Sequence, residues 1–268
     1  MYRKGCQHMR GFSLIELSIS LVIIGLLAGG ILGGQALIRA AELRAVSTEY
    51  NRFVTATQTF RDKYFAVPGD MTNATAFWGK DATYCNAQAG TAAATGTCNG
   101  NGSGLIDVGT AANTTTEHFQ FWKQLTLAGL LEGTYTGIAG PAGTGRDAVL
   151  GTNAPRSKLG NAGYSIENWG NISATGGVMW LGQYNNIYIF GAQQTVNPPE
   201  NPALRPEEAW NIDTKLDDGK PSQGKVRTFY RHSYASGAQC VTTDADATSE
   251  YLLTSSTIGC NLIFSAGI

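Results

Sequence analysis

Residues 10–25 read RGFSLIELSISLVIIG, an apolar run interrupted by one acid, Glu16. From Phe12 to Ile38, Glu16 is the only charged side chain in the sequence. A helix needs ~20 apolar residues to cross a hydrocarbon core, so this segment is long enough. A charge at the centre of a bilayer costs roughly 2.5–3.5 kcal/mol on insertion scales. Glu16 therefore needs a partner or a task in the membrane. Upstream, MYRKGCQHMRG carries Arg3, Lys4 and Arg10 and no acid. Basic flanks stay cytoplasmic, which leaves everything after Arg39 on the far side. A cleaved signal peptide is the competing reading, because LLAGGILGGQAL offers small residues after the apolar stretch. Glu16 fits that reading badly.

The stretch RGFSLIELSISLVIIGLLAGG resembles the prepilin leader junction and first helical turns of type IV pilins and type II secretion pseudopilins. A basic leader, Gly-Phe, a glutamate and an apolar span all stand in register. The resemblance implies that a prepilin peptidase cuts after Gly11 and that Phe12 is the mature, N-methylated terminus. It makes Glu16 the helix glutamate of that family. Cleavage leaves a cationic amine on Phe12 beside an apolar medium, where an unpaired charge is costly. The Glu16 carboxylate of a neighbouring subunit can neutralise it, and removing either partner strands the other. Glu16 is thus expected to be an assembly residue that sets subunit stagger. A cap of Glu16 on its own helix N-terminus is the alternative, favoured by the helix dipole.

Gly25, Gly29, Gly30, Gly33 and Gly34 punctuate the same span. Their small-xxx-small spacing lets membrane helices approach closely, while each weakens a helix by ~1 kcal/mol relative to Ala. No proline precedes Pro68, so the helix is expected to be continuous in the membrane and to loosen at the glycines in a filament. Beyond the span, Val46, Tyr50, Phe53, Thr57, Phe60 and Tyr64 recur at spacings of four and three. That is a helical stripe with one polar member, while Glu42, Glu49, Arg52 and Arg61 lie off it. The second half of the helix should bury this stripe against a head domain. It should end before AVPGDM, where Pro68 disfavours helix at Val67.

Five cysteines occur, and Cys6 would leave with the leader. Cys85, Cys98, Cys240 and Cys260 remain, an even set suited to disulfides in an exported domain, with three possible pairings. The sequence-local pairing closes two loops of modest length. Zinc competes poorly, since no C-x-x-C is present.

The head, residues 65–268, reads as mixed. TEHFQFWKQLTLAGLLEG predicts an amphipathic helix stopped by Gly133. VMWLGQ, NIYIFGA, KVRTFYR, EYLLT and NLIFSA predict strands. The fold class is therefore α+β: a long N-terminal membrane-spanning helix packed on an antiparallel-sheet head, the pilin-like layering. The division is 1–11 leader, 12–64 helix with 12–38 in the membrane, and 65–268 head.

Two stretches raise a calcium reading. NGNGSGLID sets Asn99, Asn101, Ser103 and Asp107 at alternate positions around Gly104, but carries little charge and no closing glutamate. IDTKLDDGKPSQG is richer, with Asp213, Asp217 and Asp218 before Gly219; acids in such a turn also serve as simple turn formers. No other cofactor is expected. His118 and His232 are the histidines outside the leader, neither beside a nucleophile or metal partner in sequence. No G-x-S-x-G, H-E-x-x-H or phosphate loop occurs, which argues against an enzyme. A net charge of −1 without a basic patch argues against nucleic acid.

The sequence thus predicts a filament subunit, minor rather than major because the trimmed chain is larger than many major pilins. Its implied partners are other pilin or pseudopilin subunits, the prepilin peptidase, an inner-membrane assembly platform and membrane lipid. Its implied location is the inner membrane with a periplasmic head, then a filament or the cell surface. An anchored envelope protein with a binding or enzymatic head is the alternative.

Overall fold

The computed structural model describes residues 13–111, 114–173, 180–228, 239–243 and 248–268. Helix α1 spans Leu14–Tyr64, α2 Ala74–Trp78, α3 Glu117–Leu127 and α4 Pro206–Leu216. The strands are β1 Lys80–Asp81, β2 Ala92–Ala93, β3 Ala162–Glu167, β4 Gly170–Ile172, β5 Gly182–Tyr184, β6 Ile187–Ala192, β7 Val226–Arg227 and β8 Leu262–Ser265. The chain divides into two compact units, Met1–Glu42 and Leu43–Ile268, so α1 contributes to both.

In the first unit the described part of α1 is apolar on every side and bare. Its leucines, isoleucines and Val22 are all more than half exposed, from Leu14 to Ile38. Its 18-residue window of highest mean hydropathy reaches 2.3, with none of that window buried. It is long and apolar enough to cross a membrane.

In the second unit the sheet has the order β3-β6-β8-β7, antiparallel throughout. Strand alternation sorts its side chains by face. Tyr164, Tyr188, Phe190, Leu262 and Phe264 join the main core with the second half of α1. Ile187, Ile189 and Ile263 form a smaller cluster with Tyr184 on the other side. The helical stripe meets the first face as its spacing predicts. Val46, Phe53 and Phe60 are buried, and Tyr50 and Tyr64 pack at its margin. The Phe53 ring is edge-on to Trp122 at 5.0 Å and to Tyr164 at 4.9 Å. Tyr50 stacks on Phe264 at 4.6 Å.

The polar member of the stripe has a physical reason. The Thr57 and Tyr188 hydroxyls share a buried 2.8 Å hydrogen bond, which removes the cost of burying either alone. Two further bonds tie helix to sheet: Tyr164 donates to the Val46 carbonyl at 2.9 Å and Tyr50 to the Ser265 carbonyl at 3.0 Å. Glu49, read from sequence as off the buried stripe, accepts from Ser157 Oγ at 2.6 Å and Lys158 N–H at 3.0 Å.

Cysteine pairing is sequence-local. Cys85 is joined to Cys98 and Cys240 to Cys260, with Cα–Cα distances of 5.6 and 4.9 Å. By loop-closure entropy each bridge is worth about 3 kcal/mol against the unfolded chain.

Several local expectations are corrected. Helix α3 is shorter than its apolar pattern suggests, because a Schellman turn ends it at Leu127. Gly129 N–H bonds Thr126 O at 3.0 Å and Leu130 N–H bonds Leu125 O at 3.0 Å, with Gly129 at φ +73°, so Gly129 and not Gly133 is the stop. Nor is α3 amphipathic, since every residue from His118 to Leu125 is buried. EYLLT makes one bridge, Tyr251 to Val241, rather than a strand. Val178 and Met179 of VMWLGQ and Phe229, Tyr230 and Arg231 of KVRTFYR lie outside the described residues; Gly182 and Gln183 fall in β5, and Val226 and Arg227 form β7. Strand β3 and helix α4 were not expected from the sequence. Helix α4 carries the usual start signals, Pro206 in its first turn with Glu207 and Glu208, and Glu208 accepts from Arg205 N–H at 2.9 Å.

The turn after α1 fixes α3 in place. Gly69 has φ +83°, and a Cβ there would lie 2.3 Å from the Glu117 carbonyl oxygen. Only glycine permits that approach, and Gly69 N–H donates to Gln124 Oε1 at 2.6 Å.

Candidate functional site

Gly11 and Phe12, the expected cleavage and methylation positions, lie outside the described residues, as do Cys6, His8 and His232. The described chain begins one residue later, and there the role of Glu16 becomes geometric. Ser13 N–H donates to Glu16 Oε2 at 2.9 Å, and Ile15 N–H donates to Ser13 Oγ at 3.3 Å. The pair is a variant of the capping box on the S-x-x-E pattern of SLIE, with Ser13 Oγ accepting from the second helical N–H, that of Ile15, and not the third. Glu16 thus satisfies its own helix end, the second of the two expectations for it. The S-x-x-E signal was legible and was missed.

Among the described residues, a Cβ added at Gly25, Gly29, Gly30, Gly33 or Gly34 would find no atom within 4 Å beyond the neighbouring backbone of its own helix. Nothing in this chain's own packing requires them. The helix runs unbroken through all five.

The acidic turn comes together. One ligand atom from each of Asp213, Asp217 and Asp218 lies within 4.8 Å of the others. The start of the stretch is not loop, since Asp213 sits in the last turn of α4. Asp213 accepts from Tyr251 Oη at 2.8 Å and from Gly219 N–H at 3.2 Å. Asp217 Oδ2 accepts from the Lys225 and Val226 N–H groups, and Asp218 Oδ1 from Lys220 N–H at 2.8 Å. Burial, then the charges of Asp218 and Asp217, push the Asp213 carboxyl up to about 7. These three are the described residues that could hold a divalent cation, and they are equally complete as a hydrogen-bonded turn.

The NGNGSGLID loop is built the opposite way from a cation site. Its backbone N–H groups, not its oxygens, converge. Gly102 and Ser103 donate to Asp70 Oδ1 at 2.6 and 3.1 Å, and Gly104 to Asp70 Oδ2 at 2.7 Å. Asn101 and Asp107 N–H groups both donate to Glu117, at 2.9 Å each. The loop is a nest around two carboxylates supplied from elsewhere in the chain. Burial, then Asp70 and Asp107, raise Glu117 to about 7 against the lowering effect of those two N–H bonds.

His118 is wholly buried in α3, and burial, then Arg146, lower its pKa to about 3. A neutral imidazole sealed from solvent is not poised for surface acid–base chemistry.

Comparison with known proteins adds one match. Residues 6–32 match the prokaryotic N-terminal methylation motif, the prepilin-type signal of type IV pilins and pseudopilins. No curated protein and no solved structure matches the chain.

Proposed function

We propose that this chain is a structural subunit, a minor pilin or minor pseudopilin, of a type IV pilus-like or type II secretion filament. The observation that carries the reading is a bare, all-round apolar helix, opened by the Ser13–Glu16 box, standing directly behind a prepilin-type signal. The precursor inserts through that helix, with its head in the periplasm. Prepilin peptidase trims it after Gly11, and Phe12 is methylated. On an assembly platform the helix leaves lipid for the helices of other subunits. Glu16 then exchanges its bond to Ser13 for the Phe12 amine of a neighbour. In a dry helix bundle, breaking such a pair by removing one partner costs about 3–5 kcal/mol. The chain carries no nucleotide-binding motif, so the work of assembly comes from its partners.

The test is Glu16→Ala in the native host, with mass spectrometry of the wild-type N-terminus. Export and trimming should be unaffected, the mature chain should begin at methylated Phe12, and incorporation into filaments should fall at least tenfold. Unchanged incorporation would favour an anchored envelope protein instead. A mature chain beginning at Met1, or beyond the apolar span, would end the filament reading.

A further inference from the structure

Phe65 closes helix α1 in a conformation that costs stability with no return from burial. Its φ is +52°, a left-handed geometry where a bulky side chain is strained and glycine is at ease. Its ring is 93% exposed, so no burial offsets the strain. Its backbone N–H still closes the last turn of the helix on the Arg61 carbonyl at 2.8 Å, so it is the ring that has no role within the fold. It stands at a groove of about 880 Å³, within the size range of small-ligand sites, lined also by Gln58, Arg61, Asp62, Val67 and Thr72.

We infer that this groove is a binding site for a neutral saccharide, with the Phe65 ring as its stacking platform. Three features select that ligand. The exposed charged side chains on the groove are of opposite sign, Arg61 against Asp62. The third charged group, Asp70, is buried and accepts from three backbone N–H groups of the loop beside it, so it presents no exposed carboxylate to a ligand. Finally, an aromatic face is electron-rich and attracts the polarised C–H face of a sugar ring, while amide, guanidinium, carboxylate and hydroxyl groups suit its hydroxyls. The core of a protein–protein contact is depleted of charged side chains, which disfavours a peptide here.

The test uses the full chain in a detergent without a sugar headgroup, titrated calorimetrically with chitopentaose and cellopentaose, which separate N-acetylated from plain glycans. Wild type should bind at least one. Phe65→Gly should weaken that binding about tenfold, the worth of one ring contact. The same variant should raise Tm by roughly 2–4 °C, because it relieves the strained terminus. Gln58→Ala should also weaken binding with Tm unchanged. The inference is overturned if neither saccharide binds, if binding survives Phe65→Gly, or if that variant lowers Tm, which would make the ring part of the fold. It is overturned equally if Phe65→Gly impairs filament incorporation while neither sugar binds, which would assign the ring to a subunit contact. Because Glu16→Ala reads assembly and these titrations read the head, the two proposals fail separately.

Discussion

Leu21, in the first half of α1, is 61% exposed, while Phe53, in the second half, is 7% exposed, though one uninterrupted helix carries both. The first half is apolar all round, so no face of it is satisfied by water. The second half is apolar along one stripe, and its own head covers that stripe. The pattern of apolarity, more than its amount, tells which surroundings each half is built for. The first half, long and apolar enough to cross a membrane, is left bare by the described residues. The second half is covered by them.

The sharpest way to break this contrast is to truncate one large side chain in each half. Phe53→Ala should cost the head about 3–5 kcal/mol in urea unfolding followed by tryptophan fluorescence, and Leu21→Ala should cost it close to nothing. Equal losses would mean that the two halves are not energetically distinct. Next in size is Thr57→Val, which keeps the shape and strands the Tyr188 hydroxyl. A loss of about 1–3 kcal/mol is expected by the same assay. A neutral result would show that Tyr188 finds another partner.

A smaller effect of opposite sign belongs to the first half. Gly29→Ala and Gly33→Ala should each stabilise the helix by ~1 kcal/mol, seen as slower amide exchange in micelles, with head unfolding unchanged. A loosened helix in filaments would show as faster exchange from Gly25 to Gly34 than in micelles, and full protection there would count against it.

The last effect is electrostatic and confined to the second unit. Glu117 and Glu200 are each raised to about 7, chiefly by burial. A carboxyl whose folded pKa lies above its unfolded value holds its proton more tightly when folded. Its stabilising contribution is complete below about pH 4 and fades as pH climbs to about 7. Head stability should therefore decline across that window, and Glu117→Gln with Glu200→Gln should flatten the decline. A slope unchanged in the double variant would assign it to other groups.

What could be read in the sequence was what repeats locally. The stripe from Val46 to Tyr64, the apolar span and the strands NIYIFGA and NLIFSA all announce themselves by period. Strand β3 did not, because AGYSIE puts Ser165 and Glu167 in fully buried positions. Glu167 is tolerable there because Trp169 Nε1 donates to it at 2.8 Å and Arg146 reaches it at 2.6 Å from 21 residues away, a pairing no local pattern contains. The NGNGSGLID loop misled for the same reason. Its spacing suggested oxygens turned inward, while the carboxylate that organises it, Asp70, lies more than thirty residues earlier. At Glu16 the information was local: a cap on its own helix end was expected, and Ser13, three residues earlier, is the partner that the sequence reading did not name.

The hydroxyl bonds along the second half of α1 reach three different strands: Tyr164 on β3, Tyr188 on β6 and Ser265 on β8. Sliding the helix by one turn along its axis would break all three together, and the Thr57 and Tyr50 bonds would not re-form, because Phe53 and Arg61, or Val46 and Val54, would take their places without a hydroxyl. Within its unit this segment therefore behaves as a keyed shaft rather than a greased rod. Load pulling on it is shared among three strands at once, and the head yields as a whole or holds.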